Sequence, residues 1–255
     1  MGTKSLKGRH ALVTGGGRGI GRAVAASLVK AGATVTIVGR KPASLDEALN
    51  AGDAHAAVMA DVTDMAAVQA AVHEAVERYG PIDLMIANAG AAVSAPFLKS
   101  GPEVFRNMLD VNLLGVTNVV QAVLGSMSER GFGRIVAVAS TAGLKGYPYV
   151  SAYCASKHAV IGFVKALALE TAKTGVTVNA VCPGFTDTDL VAESLRTIMA
   201  KTGRSREEAL SELTRHNPQG RLIDPAEIAN TVLWLCGEQA RSVTGQAIVV
   251  AGGEI

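Results

Sequence analysis

The sequence predicts an α/β fold: one domain over residues 1–255, built on a doubly wound parallel sheet of about seven strands with helices on both faces. Three observations support this prediction. Short runs rich in Val, Ile and Ala alternate with longer helical patterns along the chain. The apolar runs are mostly continuous, as expected for strands that are covered on both faces. The sequence also shows no linker, no low-complexity segment and no repeat of about 20–50 residues.

The strands are predicted at the apolar runs His10–Thr14, Thr34–Gly39, Ala56–Ala60, Leu84–Ala87, Arg134–Ala139, Thr177–Cys182 and Ala247–Val250. The helices are predicted at the periodic stretches Gly19–Lys30, Ala43–Asn50, Met65–Tyr79, Pro102–Ser128, Tyr153–Thr174 and Pro225–Cys236. Residues 187–221 break this alternation, because no strand is predicted there and charges of both signs are dense. This region is open to two interpretations, a solvated pair of helices or a mobile substrate lid.

Composition argues against several classes of function. The net charge is +2 without a basic block, so nucleic acid is not an expected partner. The cysteines Cys154, Cys182 and Cys236 are far apart and lack metal-ligand spacing, and we interpret them as reduced core thiols. The amino terminus has neither a secretory signal nor a myristoylation pattern, and no apolar run is long enough to span a bilayer. We expect a soluble, cytoplasmic protein without a metal site or a membrane partner.

A candidate catalytic pair lies at the start of a long predicted helix. Tyr153 and Lys157 are four residues apart and therefore share one helix face. An ammonium group beside a phenol favours the phenolate, which is expected to lower the Tyr pKa. Ser140 lies at the carboxyl end of a predicted strand and could orient a carbonyl group. The pattern predicts a general acid or base, although spacing alone also allows a purely structural pair.

A glycine-rich segment connects the first predicted strand to the first predicted helix. It reads Thr14-Gly-Gly-Gly-Arg-Gly-Ile-Gly21. Glycines here permit a tight turn and a close approach of the backbone to a pyrophosphate, which the helix amino terminus can bind. The segment predicts a Rossmann-type dinucleotide site, although its glycine spacing is a variant of the usual fingerprint. The candidate cofactor residues are Gly15, Gly17, Arg18, Gly19, Ile20 and Gly21.

The end of the second predicted strand indicates which dinucleotide would bind. An NAD site places an acid there for the ribose 2′-hydroxyl. This strand is followed by Arg40 and Lys41, and no acid occurs before Asp46. A guanidinium group would bind a 2′-phosphate, and Arg18 is a second cation that could flank it. We therefore predict NADP(H) rather than NAD(H); the alternative is that Arg40 is an ordinary surface residue.

Two further strand ends provide candidate cofactor residues. Asp61 could bind the adenine amino group, and Val62 could cover the ring. Asn88, Ala89 and Gly90 follow the fourth predicted strand, where small residues would let a cofactor lie against the backbone. Each of these segments could instead be an ordinary cap or turn.

Taken together, these motifs resemble the short-chain dehydrogenases/reductases over nearly the whole chain. The matching residues are Thr14-Gly-x-x-x-Gly19-x-Gly21, Asp61, Asn88-Ala-Gly90, Asn112, Ser140, Tyr153-x-x-x-Lys157 and Pro183-Gly184. The resemblance implies a catalytic tetrad of Asn112, Ser140, Tyr153 and Lys157. In such a tetrad, Tyr protonates the carbonyl, Ser binds the carbonyl oxygen, Lys holds the nicotinamide ribose and Asn supports a water relay.

The resemblance also implies nicotinamide contacts in the segment that follows the sixth predicted strand. The candidate residues are Pro183, Gly184, Thr186 and Thr188, together with Tyr153 and Lys157. The sequence departs from the family pattern at three positions. Ala87 replaces a common asparagine, Thr186 replaces a usual aliphatic residue, and Ala251 replaces the usual aspartate before two glycines. None of these departures involves the tetrad.

Within the family, residues 155–162, 179–185 and 218–228 are most similar to ketoreductases that act on acyl or polyketide thioesters. The expected activity is NADPH-dependent reduction of a 3-oxoacyl thioester, carried by acyl carrier protein or coenzyme A, or of a related β-keto compound. A secondary-alcohol or hydroxysteroid-type dehydrogenase is the alternative, and a non-catalytic NADP-binding regulator is a third possibility. The family resemblance also implies a homotetramer.

Overall fold

Seven parallel strands form one sheet in the computed structural model, which describes residues 6–255 apart from the side chain of Leu190. The strands, in chain order β1 to β7, are His10–Thr14, Thr34–Gly39, Ala56–Met59, Leu84–Ala87, Gly133–Val138, Val176–Pro183 and Ala247–Val250. Their order across the sheet is β3-β2-β1-β4-β5-β6-β7. The prediction of a doubly wound α/β fold is confirmed, and the strand bounds differ from the predicted ones by at most one residue at either end.

The helices of the described chain, in order α1 to α9, are Gly19–Lys30, Pro42–Asn50, Met65–Tyr79, Pro102–Leu109, Gly115–Glu129, Ser151–Glu170, Asp189–Thr202, Arg206–Thr214 and Pro225–Cys236. Local sequence signals account for several helix ends. Asp64 accepts hydrogen bonds from two first-turn amides of α3, and Asp224 and Glu227 form a reciprocal capping box at α9. The predicted helix 153–174 is shorter at its carboxyl end, where Thr171 bonds the Leu167 carbonyl and the chain turns.

Two apolar cores flank the sheet because each buried strand directs alternate side chains to opposite faces. Leu12 of β1 belongs to the core beneath α3, α5 and α6. Its neighbours Ala11 and Val13 belong to the core beneath α1, α2 and α9. Burial on both faces explains why the strands lack polar alternation and why the sheet was predictable.

The predicted helix 102–128 is interrupted by a π-helical turn at Asp110–Leu114, between α4 and α5. The same stretch, Pro102–Glu129, is long and apolar enough to cross a membrane by length and composition, with a mean hydropathy of 1.4 over its most apolar window. The expectation that no run reaches this length is therefore wrong. Val116, Val119 and Val123 of this stretch lie in the core, which is an ordinary place for an apolar helix in a globular fold.

Residues 187–221 form the helical pair α7 and α8, with no strand among the described residues of this segment. The two helices share a small apolar cluster of their own, centred on Val191, Leu195 and Ala209. Phe185, just before α7, packs against that cluster. The helical pair therefore has a separate packing unit that is connected to the sheet through the segment after β6.

All three cysteines are buried and free, as the sequence predicted. Among residues 6–255, no three His, Cys, Asp or Glu side chains are grouped closely enough to hold a metal ion.

Candidate active site

The strand order places a crevice between the carboxyl ends of β1 and β4, where the direction of winding reverses. Thr14, at the end of β1, accepts hydrogen bonds through Oγ1 from the amides of Asn88 (3.0 Å) and Ala89 (3.1 Å). In return, Asn88 Nδ2 donates to the carbonyls of Thr14 (3.0 Å) and Gly15 (3.3 Å). These bonds, which we call the Thr14–Asn88 brace, fix the glycine loop to the segment after β4.

The glycine loop requires residues without side chains at several positions. Gly15 has a φ of +64°, and a Cβ there would lie 2.8 Å from Asn88 Nδ2. A Cβ at Gly17 would lie 2.9 Å from the Ser44 carbonyl oxygen, and one at Gly21 would collide with the Gly15 carbonyl. Contacts within the protein therefore require glycine at these positions, whether or not a ligand approaches the loop.

The start of α1 is open to a ligand. Arg18 occupies the capping position and makes no side-chain cap, so the first-turn amides of α1 are not capped by it. Gly19 begins the helix with a φ of +53°, and the partly buried Ile20 packs against the core below. An uncapped helix start beside a glycine loop suits a pyrophosphate, because its amides point outward and its dipole favours negative charge.

At the other end of the crevice, Arg40 and Asp61 lie together. Arg40 Nη1 is 3.3 Å from Asp61 Oδ2, and 65% of the Arg40 side chain is exposed. The amide and hydroxyl of Thr63 both donate to Asp61 Oδ1. The Thr63 amide, and to a lesser extent Arg40, lowers the pKa of the Asp61 carboxyl, which is therefore ionised. The two side chains border an open cleft of about 460 Å³ lined by Arg40, Asp61, Thr63, Asn107, Asp110, Val111 and Leu114.

The other predicted cation points elsewhere. Arg18 Nη1 lies 3.8 Å from Asp189 Oδ2 at the start of α7, with both side chains mostly exposed. Arg18 therefore forms an ion pair with the helical segment 187–221, whereas Arg40 forms one with Asp61. Val62 is buried against Gly115, where a Cβ would lie 2.6 Å from Val62 Cγ2, so its side chain supports the cleft from below.

Ser140 and Tyr153, two of the predicted site residues, lie close together. Ser140 follows β5, and its Oγ accepts a hydrogen bond from the Ala142 amide (3.1 Å), which caps a short 3-10 turn. That turn lies directly on α6, because a Cβ at Gly143 would be 2.7 Å from the Lys157 carbonyl oxygen. This contact places the Ser140 side chain within hydrogen-bonding reach of the Tyr153 hydroxyl. The two hydroxyl groups therefore form a pair beside the carboxyl end of β5.

Lys157 lies one turn along α6 and is 4% exposed. Its Nζ donates to the Val138 carbonyl (2.8 Å) and lies 5.8 Å from the centre of the Tyr153 ring. Burial lowers the pKa of Lys157 to about 8. Burial also raises the pKa of Tyr153, and the bond with Ser140 opposes this only in part. The expected lowering of the Tyr153 pKa by Lys157 is wrong for this structure, because burial of the phenol dominates and raises the pKa.

Asn112 lies in the π-helical turn and is fully buried. Its carboxamide forms two bonds with the backbone of Ala91, accepting from the amide (3.0 Å) and donating to the carbonyl (2.9 Å). Its Nδ2 also donates to Ser156 Oγ (3.1 Å). Gly90 lies between Asn112 and Lys157, since a Cβ there would be 2.9 Å from Asn112 Oδ1 and 3.7 Å from Lys157 Nζ. The Asn112 side chain therefore holds the wall of the crevice in place.

The segment after β6 borders the same crevice. Pro183 ends the strand, and the Gly184 amide bonds the Val250 carbonyl of β7 (3.0 Å). Thr186 is buried, and its hydroxyl donates to the Gly184 carbonyl (2.9 Å). Thr188 donates to the Thr186 carbonyl (3.2 Å), and its methyl group would lie 3.3 Å from a Cβ at Gly19. The segment therefore connects the glycine loop to the residues for which nicotinamide contacts are predicted from sequence.

Comparison with known proteins agrees with this geometry. The model of the short chain dehydrogenase family matches residues 9–198. The chain belongs to the short-chain dehydrogenase/reductase family. A relative from Streptomyces coelicolor, named "Putative ketoacyl reductase", is 41% identical over 95% of each chain. As a member of this family, the protein is an oxidoreductase.

Two solved structures show how far the similarity to other family members extends. A variant of actinorhodin polyketide ketoreductase, solved with NADPH, superimposes with a TM-score of 0.92 at 40% identity, covering 96% of this chain and 97% of that one. Levodione reductase superimposes with a TM-score of 0.92 at 32% identity, covering 97% and 98%. Both similarities extend over the whole sheet and the helices around it.

Two hydroxyl side chains to which the sequence assigned no role, those of Ser156 and Thr14, hold the candidate site of this oxidoreductase together. Ser156 is buried and connects two members of the predicted tetrad: its hydroxyl donates to the Tyr153 carbonyl (2.8 Å) and accepts from Asn112. Thr14 acts as the acceptor in the Thr14–Asn88 brace. Both hydroxyl groups are visible in the sequence, one beside the candidate catalytic pair and one at the end of β1, but the bonds to Asn112 and Asn88 join positions 44 and 74 residues apart.

Proposed function

We propose that the protein is an NADPH-dependent ketoreductase that reduces the 3-keto group of a 3-oxoacyl thioester, or of a closely related β-keto compound, to a secondary alcohol. The observation that carries this proposal is the pair of hydroxyl groups of Ser140 and Tyr153, held beside a buried Lys157 at the edge of the sheet. The names of the ketoacyl and polyketide ketoreductase relatives support the thioester part of the proposal.

The residues of the crevice fit a nicotinamide dinucleotide. The uncapped start of α1 would bind the pyrophosphate, and Asp61 would take the adenine amino group. Gly90 presents bare backbone above Lys157, whose ammonium group has donors left beyond its bond to Val138 and could hold ribose hydroxyls. Arg40 is exposed at the end of β2 and would bind a 2′-phosphate, which supports NADPH over NADH.

The chain's own residues would stabilise charge and move a proton. Bound NADPH would supply the hydride. Ser140 would donate a hydrogen bond to the carbonyl oxygen, on which negative charge develops during reduction. The raised pKa of Tyr153 keeps its phenol protonated at neutral pH, so Tyr153 would donate its proton to that oxygen. The nearby Lys157 cation would stabilise the resulting phenolate.

We also propose that α7 and α8 act as a substrate lid. The pair has its own apolar cluster and begins at Asp189, which forms an exposed ion pair with Arg18 of the glycine loop. A phosphate bound by Arg18 would compete with Asp189, so nucleotide binding would change the position of the helical pair. Amide hydrogen exchange in α7 with and without NADPH tests this, and identical exchange in both states would argue against a lid.

The experiment that tests the function is a spectrophotometric panel that follows loss of NADPH. The substrates are acetoacetyl-CoA, longer 3-oxoacyl thioesters, cyclic ketones and simple ketones. We expect thioester turnover, and a loss of at least about 1,000-fold in kcat in Tyr153→Phe with cofactor binding retained. Full activity of Tyr153→Phe would contradict the catalytic assignment. Rapid turnover of other ketones without any thioester turnover would contradict the proposed substrate.

The second candidate is a reductase or dehydrogenase of small cyclic ketones and secondary alcohols. The similarity to levodione reductase favours it, as does the aromatic pair of Tyr147 and Phe185 near the crevice, whose ring centres are 6.0 Å apart. The same panel separates the two candidates by their relative kcat/KM values for thioesters and cyclic ketones.

Finally, we propose a homotetramer that uses the β7 edge of the sheet. Strand β7 is half-buried along its length, whereas β1, β4, β5 and β6 are buried throughout. Ala168, near the end of α6, lies against Gly245 just before β7, and its neighbour Leu169 is 81% exposed. An open strand edge beside a large exposed apolar side chain suits contact with a second copy of the chain.

A further inference from the structure

A buried carboxylate outside the tetrad connects the last strand to the loop that follows Ser140. The Glu254 side chain is 2% exposed. Its Oε1 accepts a hydrogen bond from the Tyr147 hydroxyl (2.6 Å) and lies 3.0 Å from Lys145 Nζ. Burying a carboxylate is unfavourable unless it is paired and hydrogen-bonded. Both conditions are met here, so the cluster is a specific part of the structure.

The backbone after β7 positions this carboxylate. Gly252 and Gly253 have φ values of +63° and +91°, which turn the chain back toward the sheet. The carboxylate then lies behind Gly184, where a Cβ would be 3.3 Å from Glu254 Oε2. Glu254 is therefore wedged between the segment after β6 and the loop 144–149.

On its other side, Tyr147 contacts the catalytic region. Its hydroxyl is 2.7 Å from Thr141 Oγ1, and Thr141 directly follows Ser140. Its ring packs edge-to-face against Phe185, with 6.0 Å between the ring centres. Phe185 in turn packs against the apolar cluster of α7 and α8. We call the two rings the Tyr147–Phe185 wall; they lie between Ser140 and the proposed lid.

The loop carrying Tyr147 is also held under backbone strain. Tyr149 has a φ of +67°, which a residue with a Cβ adopts only when its surroundings enforce it. Its carbonyl accepts a hydrogen bond from the Ala95 amide (2.8 Å), in the segment that follows Gly90. The loop therefore fixes two edges of the crevice at once.

We propose that Glu254 is a positioning residue that sets substrate specificity, by holding the Tyr147–Phe185 wall in one place beside Ser140. This inference rests on the proposed ketone reduction. A fixed pair of aromatic rings favours substrates with a flat or cyclic apolar group next to the carbonyl, because such groups pack well on ring faces and edges. Glu254 itself does not touch the reacting atoms.

The test compares Glu254→Gln with Tyr147→Phe, because both substitutions preserve side-chain volume. The exposed Glu170→Gln in α6 is the matched control. We expect KM for cyclic ketones to rise about 5- to 10-fold in both variants, with kcat and KM for NADPH changed by less than about twofold. Short linear ketones should be affected by about twofold or less. The double variant should be no worse than Tyr147→Phe alone, because both changes act on the same hydrogen bond, which glutamine weakens by removing the acceptor's charge and phenylalanine removes entirely.

A second measurement needs no substrate. Amide hydrogen exchange in residues 144–149 should be faster in Glu254→Gln than in the unchanged protein, while exchange in β7 stays the same. Unchanged exchange in residues 144–149 would overturn the inference, even if no ketone is reduced and the proposed function fails. Additive effects of the two substitutions, or a fall in kcat and Tm without a change in KM, would overturn it as well.

Discussion

Burial gives Lys157 a property that can be measured apart from catalysis. Its pKa of about 8 in the folded protein lies below the ordinary value of 10.5, because burial has removed water from the ammonium group and its one bond to a backbone carbonyl does not compensate for that loss. Between these two values, the unfolded chain binds more protons than the folded one. Stability therefore rises with pH across this window, and the contribution of Lys157 is least favourable below about pH 8.

This predicts how Lys157→Met changes the pH dependence of stability. From about pH 7 to about pH 9.5, the unchanged protein should gain roughly 2 kcal/mol relative to the variant, since methionine has no proton to lose. Urea unfolding at several pH values measures this difference. Lys165→Met, an exposed lysine on the same helix, is the control. Parallel curves for the unchanged protein and Lys157→Met would show that Lys157 keeps an ordinary pKa.

At the scale of single residues, sequence could predict which side chains meet but not their protonation. The four-residue spacing of Tyr153 and Lys157 places both on one helix face, and the end of β5 delivers Ser140. The direction of the Tyr153 pKa was wrong, because it depends on burial and on where the Lys157 ammonium group points. Glu254 gave no sequence signal, since its partners Lys145 and Tyr147 are more than 100 positions away.

At the scale of the elements, the prediction about the cofactor depends on Arg40, which directly follows β2. Arg40→Asp removes the guanidinium group and adds a charge that repels a 2′-phosphate. We expect the ratio of kcat/KM for NADPH over NADH to fall by roughly 30- to 300-fold. Initial rates with each cofactor measure the ratio. The fold should tolerate the change, because the ion pair of Arg40 with Asp61 is largely exposed.

Arg18→Ala provides the comparison for this experiment. It removes a cation that pairs with Asp189 rather than with the groups around Arg40, so the NADPH preference should persist. If Arg40→Asp keeps full NADPH preference while Arg18→Ala loses it, Arg18 of the glycine loop binds the 2′-phosphate and the assignment of Arg40 is wrong.

Element positions were predictable where burial sets a regular pattern. The strands β1, β2, β4 and β7 have the predicted bounds. The π-helical turn at Asp110–Leu114 was not predictable, because periodicity over the surrounding stretch is continuous. The turn contains Asn112, whose side chain is tied to Ala91 and Ser156 from other parts of the fold. Such turns are often found at functional sites, and this one places Asn112, a member of the predicted tetrad, in the crevice wall.

For the whole molecule, the prediction concerns assembly. Leu169→Glu puts a charge on the exposed end of α6, beside the proposed subunit contact at β7. We expect the tetramer to dissociate to dimers or monomers, seen as a two- to fourfold lower mass by light scattering. Met59→Glu, at the opposite edge of the sheet, is the matched control and should leave the mass unchanged. A monomeric unchanged protein, or an unaltered mass in Leu169→Glu, would contradict the proposed contact.

The strand order of the sheet is consistent with the sequence pattern. A first βα unit with a glycine loop is typical of a doubly wound sheet, in which strands are added on both sides of β1. The helical pair at residues 187–221 was only partly predictable. Its helices agree with one interpretation of the charged sequence, but their apolar cluster depends on side chains brought together by packing. Whether the pair moves stays a prediction, as do the tetramer and the location in the cell.

The Thr14–Asn88 brace has a kinetic consequence. It ties the glycine loop to a segment 74 positions away in sequence by the chain's own hydrogen bonds. A loop that is already ordered adds no ordering entropy to the cost of association. Capture of a dinucleotide should therefore be fast and should speed up further as ionic strength falls, because exposed Arg18 and Arg40 attract its phosphates. Release of the oxidised dinucleotide would then limit the turnover rate.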